Sequence, residues 1–209
     1  MTGDGLIVTR HSSLVTRHFM ETYRLFIAAE LPPNIKAELV DTQARLRRAN
    51  LPVSWVAPGA MHLTLRFLGD TSAALIPDLD RAIRAGLAPH SAMNLRLSGA
   101  GAFPNDRRPS VVWAGVGGAV ATLQRAQAAI EAALGGLGIV PEPKPFRPHL
   151  TLGRLRREAN PEQQQRFGDA IRSLQPPAPL EWTIERVVLF RSELQRDGPI
   201  YTKIVDCRL

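Results

Sequence analysis

The sequence predicts an α+β fold of two pseudo-symmetric lobes, each a mainly antiparallel sheet with helices on its outer face, set around a central cleft. Three observations lead there. Segments of strand period and helix period alternate from Tyr23 to the C-terminus. The same elements return 87 residues later, which marks an internal duplication. Each copy also contains a strand with polar residues on one face and leucines on the other, the pattern of a sheet buried on one side. With 209 residues, 44% hydrophobic and 22% charged, the chain can bury a core without cross-links and is too apolar for intrinsic disorder.

Residues 1–19 stand apart. Val8-Thr9-Arg10-His11 recurs as Val15-Thr16-Arg17-His18 without joining a hydrophobic period, so this stretch reads as a disordered leader ahead of a single bilobal domain spanning 20–209. Tyr23 to Ala29 is a short apolar strand. Pro32 and Pro33 open a helix with Ile35, Leu39 and Leu46 on one face. Val53 to Val56 and His62 to Leu68 read as strands, and Pro77 opens a helix that buries Leu79, Ala82, Ile83 and Leu87. Leu95 to Leu97 returns as a strand. Val111 to Val116 begins the second copy, and its helix carries Leu123, Ile130 and Leu134 before Gly135 and Gly136 stop it. A proline-rich loop, Pro141 to Pro148, leads into a strand from His149 to Leu152. Asn160 caps a helix with Pro161 at its first position and Phe167, Ile171 and Leu174 inward. Trp182 to Phe190 and Tyr201 to Val205 finish as strands.

Arg24 and Val111, His62 and His149, and Leu95 and Trp182 are each separated by 87 residues. At the centre of both copies stands a repeated tetrapeptide, His62-Leu63-Thr64-Leu65 and His149-Leu150-Thr151-Leu152. Alternation puts His and Thr on one face, about 7 Å apart at ~3.4 Å per residue, with both leucines in the core. In the first copy the strict pattern extends to Arg66 on the polar face and Phe67 on the core face. An imidazole and a hydroxyl on each wall of a groove suit metal-independent displacement at phosphorus. One neutral imidazole takes a proton from the attacking water, a protonated one gives a proton to the leaving oxygen, and each threonine holds a non-bridging oxygen. Histidine fits both roles because its ordinary pKa lies near 6.5.

The chain resembles the 2H phosphoesterase superfamily, and within it the RNA 2′,3′-cyclic phosphodiesterase family, also called 2′,5′ RNA ligase. METYRLFIAAELPP resembles the opening strand and helix start of that family, WVAPGAMHLTLRFLGD its first motif, FRPHLTLGRL its second, and VVLFRSELQRDGPIYTKI its closing hairpin. The resemblance implies hydrolysis of a terminal 2′,3′-cyclic phosphate on RNA to a 2′-phosphate. It implies His62 as proton donor, His149 as proton acceptor, Thr64 and Thr151 on the phosphate, and Arg154 as a substrate-binding residue. In a regular strand Arg154 points away from His149, so Gly153 has to bulge or the strand has to end. Arg66, with the better parity, is the second substrate-binding candidate.

Trp55, Phe103, Phe146 and Tyr201 are candidates to stack on a base, and Arg107, Arg108 and Arg147 to gather RNA phosphates. Only three of the 26 basic residues are lysines, against 19 acids, and arginine forks suit phosphate. No metal or cofactor is expected: neither histidine has helical ligand spacing or a carboxylate at a strand-face position, and Gly117-Gly118 lacks the sequel of a nucleotide-binding loop. Cys207, the single cysteine, excludes a disulfide framework and fits a reducing compartment. The expected partners are RNA with cyclic-phosphate ends or small cyclic nucleotides, with no membrane, in a cytoplasmic monomer. Rival readings are a non-catalytic RNA-end binding module, 2′,5′ RNA ligation, and the opening of other small cyclic nucleotides at the same site.

Overall fold

The apolar run after Tyr23 is buried on both faces, which makes it a central strand. It forms β1 (Thr22–Glu30), followed by α1 (Pro33–Arg47), β2 (Val53–Trp55), β3 (His62–Ser72), α2 (Ile76–Leu87) and β4 (Met93–Phe103). The second half holds β5 (Val111–Gly118), α3 (Val120–Gly135), β6 (His149–Leu155), α4 (Pro161–Arg172), β7 (Glu181–Ile184), β8 (Arg186–Gln195) and β9 (Gly198–Arg208). The structure, a computed structural model, describes residues 21–195 and 198–209. The leader expected at residues 1–19 lies outside them.

Two sheets result, every strand pair antiparallel. One has the order β3-β1-β8-β9 and the other β2-β6-β5-β4-β7. One face of each sheet packs, with all four helices, into a continuous core that includes Leu25, Ile27, Leu63, Leu97, Leu150 and Phe167. On the opposite face of the first sheet Phe26, Ala28, Val188 and Phe190 form a separate cluster beside Tyr201. The helix starts follow the sequence signals. Proline stands in the first turn of α1, α2 and α4, and Asn160 and Gln163 close a reciprocal capping box on α4. α3 ends at Gly135 as expected, but the left-handed residue is Gly138, at φ 76°.

The sheets do not coincide with the halves of the sequence. β4, from the first half, joins β5 and β6, while β8, from the second half, joins β1 and β3. The segment from Trp182 to Phe190, predicted as one strand, is broken at Glu185: β7 pairs with β4 in one sheet and β8 with β1 in the other. Leu95 and Trp182, one duplication period apart, lie directly opposite each other in the β4–β7 pair. The pseudo-twofold axis therefore passes between them. The predicted strands at Leu95 to Leu97 and Tyr201 to Val205 extend to 11 residues each, as β4 and β9.

Among the described residues no helix is long and apolar enough to cross a membrane. At Gly115, opposite His149, a Cβ would lie 2.0 Å from the Ser98 carbonyl oxygen of β4. Gly115→Ala should therefore force two strands apart and cost about 3 kcal/mol, the upper range for overpacking. Gly59, with nothing within 4 Å of its Cβ position, is the neutral control. Comparison of denaturant midpoints tests this, and equal midpoints for the two variants would contradict it.

Candidate active site

β3 and β6 begin with the repeated tetrapeptides. Leu63, Leu65, Leu150 and Leu152 enter the core, while His62, Thr64, His149 and Thr151 are half-buried on the other faces. β1 pairs Ile27 with Arg66 but Ala28 with Thr64, so Leu65 is an extra residue. β5 pairs Val112 with Gly153 but Trp113 with Thr151, so Leu152 is extra. Each copy thus bulges at the same place, and the bulge reverses the alternation beyond it. The exposed Arg154 thereby lies on the face of His149.

The first bulge has the opposite effect on two expectations. Arg66, expected beside the substrate, is only 7% exposed and turned away from the His62 face. Its guanidinium donates to Glu142 and to the Val140 carbonyl, and its Nε lies 3.3 Å from Glu131. It is therefore not a substrate contact. Phe67, expected in the core, is 54% exposed and lies on the cleft face. By the 87-residue period it is the counterpart of Arg154.

Both imidazoles are held alike. His62 Nδ1 is 2.9 Å from the Ala60 carbonyl oxygen and His149 Nδ1 is 2.7 Å from that of Arg147. A carbonyl only accepts, so each Nδ1 carries hydrogen and each neutral ring keeps its Nε2 lone pair free. Among the described residues the hydroxyls of Thr64 and Thr151 have no hydrogen-bond partner, which leaves them free to bind a ligand.

Aromatic rings support the imidazoles. His62 is 4.7 Å from Phe26 and 5.3 Å from Tyr201, and His149 meets Phe103 edge-on at 4.9 Å. Phe26 stacks on Phe190 at 5.1 Å, and Phe103 lies 5.3 Å from Trp113. The duplication period maps Phe26 onto Trp113 and Phe103 onto Phe190. Because the halves exchange strands, each bed takes one ring from each half. Gly101 makes room for the second bed, since a Cβ there would approach the Trp113 ring to 2.4 Å. The sequence reading missed Phe26, Trp113 and Phe190, although their 87-residue spacing was available as a signal.

Burial sets the electrostatics. It is the main cause that pushes His62 down to about 4; the Ala60 carbonyl opposes it and the charge of Lys36 adds to it. His149 is also lowered, first by burial, with the Arg147 carbonyl opposing and Arg154 reinforcing. Burial raises the Tyr201 phenol, against the charges of Arg154 and Arg24. Arg154 thus acts on His149 of one sheet and on Tyr201, which touches His62, of the other. Cα atoms of β3 also come within 8 Å of β6. The two strands that carry the imidazoles are therefore neighbours in space.

Trp55 packs against the core under the Arg47 guanidinium at 5.0 Å, and Phe146 is half-buried against the same core. Arg107 and Arg108, whose backbone N–H groups donate to the Asn105 side chain, line a concavity of about 370 Å³ with Gln164 and Arg172 beside α4. A second, of about 510 Å³, lies between β4 and α4. Neither contains a residue of the repeated tetrapeptides. Arg147 is exposed and contributes its carbonyl. Among the described residues no three His, Cys, Asp or Glu side chains are grouped to hold a metal ion.

Comparisons with known proteins follow the same lines. Residues 31–196 match the 2'-5' RNA ligase superfamily. A protein of Thermus thermophilus named RNA 2',3'-cyclic phosphodiesterase is 36% identical over 189 residues, 86% of each chain. One of that name from Methanothermobacter thermautotrophicus is 31% identical over 186 residues, 89% of this chain and 98% of the relative. The crystal structure of E. coli LigT complexed with 3'-AMP superposes with a TM-score of 0.72 at 27% identity, covering 90% of this chain and 99% of that one.

The buried imidazole makes stability depend on pH with a definite sign. Native His62 stays neutral down to about pH 4, whereas in the unfolded chain it takes up a proton near 6.5. Its effect is absent above the unfolded value, and stability falls as pH drops from about 6.5 towards 4. His62→Gln should be less sensitive over this window than the parent, as read from denaturant midpoints at pH 7 and pH 5. An NMR titration showing His62 protonated near 6.5 in the native state would overturn the assignment.

Proposed function

The chain belongs to the 2'-5' RNA ligase superfamily, and on that footing we propose that it hydrolyses terminal 2′,3′-cyclic phosphates on RNA without a metal, leaving a 2′-phosphate. The observation that carries this reading is the pair of matched strands, each offering an Nε2 and, two residues on, an unengaged hydroxyl. Relatives named for this reaction, over most of the chain, support it.

In the proposed reaction His149 Nε2 accepts a proton from water, the water oxygen bonds to phosphorus, and the bond from phosphorus to the 3′-oxygen breaks. His62 donates a proton to that oxygen. The hydroxyls of Thr64 and Thr151 donate to the non-bridging oxygens, and Arg154 offsets negative charge that grows in the transition state. The low pKa of His62 has a consequence: the acid is uncharged in the free protein at neutral pH. The anionic cyclic phosphate raises that pKa on binding, so the substrate recruits the proton used to expel its own leaving group. Thr64 and Thr151 supply no protons to the reaction. In this reading the protein works as a cytoplasmic monomer on RNA ends and on small cyclic nucleotides.

The test is incubation of the protein, with excess chelator, with a short RNA ending in a 2′,3′-cyclic phosphate, followed by identification of the product. The expected product is the 2′-phosphate, and His62→Ala or His149→Ala should each lower the rate by about 10² to 10⁴-fold while folding is retained. No turnover by the parent protein would favour a binding module, and loss of activity with chelator would overturn the metal-free mechanism.

A further inference from the structure

Outside the repeated tetrapeptides, one side chain fastens the approach to each histidine. The segment from Ile139 to Pro148 has no regular structure, yet it delivers the Arg147 carbonyl that holds His149 Nδ1. Arg66 of β3, the strand of His62, grips this segment through the Val140 carbonyl and Glu142, and is itself flanked by Glu131 of α3. The converse contact is made by Gln43 of α1, only 3% exposed. Its amide donates one hydrogen to the Val56 carbonyl at 2.8 Å, on the way to His62, and the other to the Leu152 carbonyl at 2.7 Å, the extra residue in the bulge of β6. Leu152 also accepts the Val56 N–H at 3.0 Å.

We propose that Arg66 and Gln43 are positioning residues that set the two imidazoles relative to each other across the cleft: each ties the segment leading to one histidine to the strand that carries the other. The proposal rests on the hydrolytic reading and deepens it. Arg66 serves because one planar group can reach a carbonyl and two carboxylates in fixed directions, which a lysine ammonium cannot reproduce. Gln43 serves because both its amide hydrogens meet carbonyls from segments that its own helix does not contain. Both side chains are buried and bonded to the protein itself, so their effect passes through the backbone to the imidazoles. Misplacement of a reacting group by about 1 Å can cost ~10²-fold in rate.

The test uses Arg66→Lys, Gln43→Met and, as a milder variant on the half-exposed acid, Glu142→Ala. Three measurements are made on each full-length protein: the melting temperature, the kinetics (kcat and KM) on cyclic-ended RNA, and the imidazole ¹⁵N spectrum. Folded Arg66→Lys and Gln43→Met should lose about 10- to 100-fold in kcat with KM changed by less than about threefold. Arg66→Lys should also lose the single Nδ1–H tautomer of His149 while keeping that of His62, and Gln43→Met the reverse. Glu142→Ala should show the His149 change in smaller degree, so the proposal stays open to refutation even if Arg66→Lys does not fold. Unchanged imidazole spectra, or activity that falls only with the folded fraction, would overturn it. If the parent shows no turnover the hydrolytic reading fails, and the ¹⁵N spectra still decide the positioning.

Discussion

Each imidazole can work at only one nitrogen, because the other gives its hydrogen to a carbonyl two residues upstream. Most of what surrounds the cleft follows from this bond. The upstream carbonyl has to be fixed, so a 3₁₀ turn at Pro58–Ala60 precedes His62 and a side-chain anchor holds the longer segment before His149. The ring then has to be kept upright, and phenyl groups beside each one do so. The same apolar bed withdraws water, which disfavours the charged form of both imidazoles.

The duplication repeats the histidines, threonines, bulges and much of the aromatic support, but not the positions just beyond. Where one bulge places Arg154 on the cleft face, the other places Phe67; where one turns Arg66 inward, the other has Gly153, whose Cβ would lie 2.8 Å from Val53. A cleft symmetric in its acid–base groups is thus cationic on one flank and aromatic on the other.

The alternation of elements, the helix starts and both tetrapeptides were legible because they depend on local period, proline placement and an Asn cap. The exceptions are non-local. Parity assigned Arg66 to the cleft and Phe67 to the core; a bulge is defined by the neighbouring strand, and nothing within HLTLRF announces it. In the second copy the bulge expected at Gly153 falls one residue earlier, at Leu152, and only the requirement that Arg154 share the face of His149 points to it. The break at Glu185 was hidden in an unbroken β-prone stretch, since which sheet a strand joins is decided by its partners. A duplication period says which residues correspond and is silent on which half they pack with. Gln43 was invisible for the same reason: it is a polar residue on a helix until Val56 and Leu152 are seen against it.

The exchange of β4 and β8 bears on how the chain acquires its structure as it is synthesised. Residues 25–28 find their second neighbours only in residues 188–191, so the first sheet stays open-edged until that distant segment has been synthesised. Meanwhile Phe26 and Ala28 lack the cover that Val188 and Phe190 later provide. Such long-range pairing slows folding and leaves sticky nascent chains. Neither half, released early, would own a finished sheet.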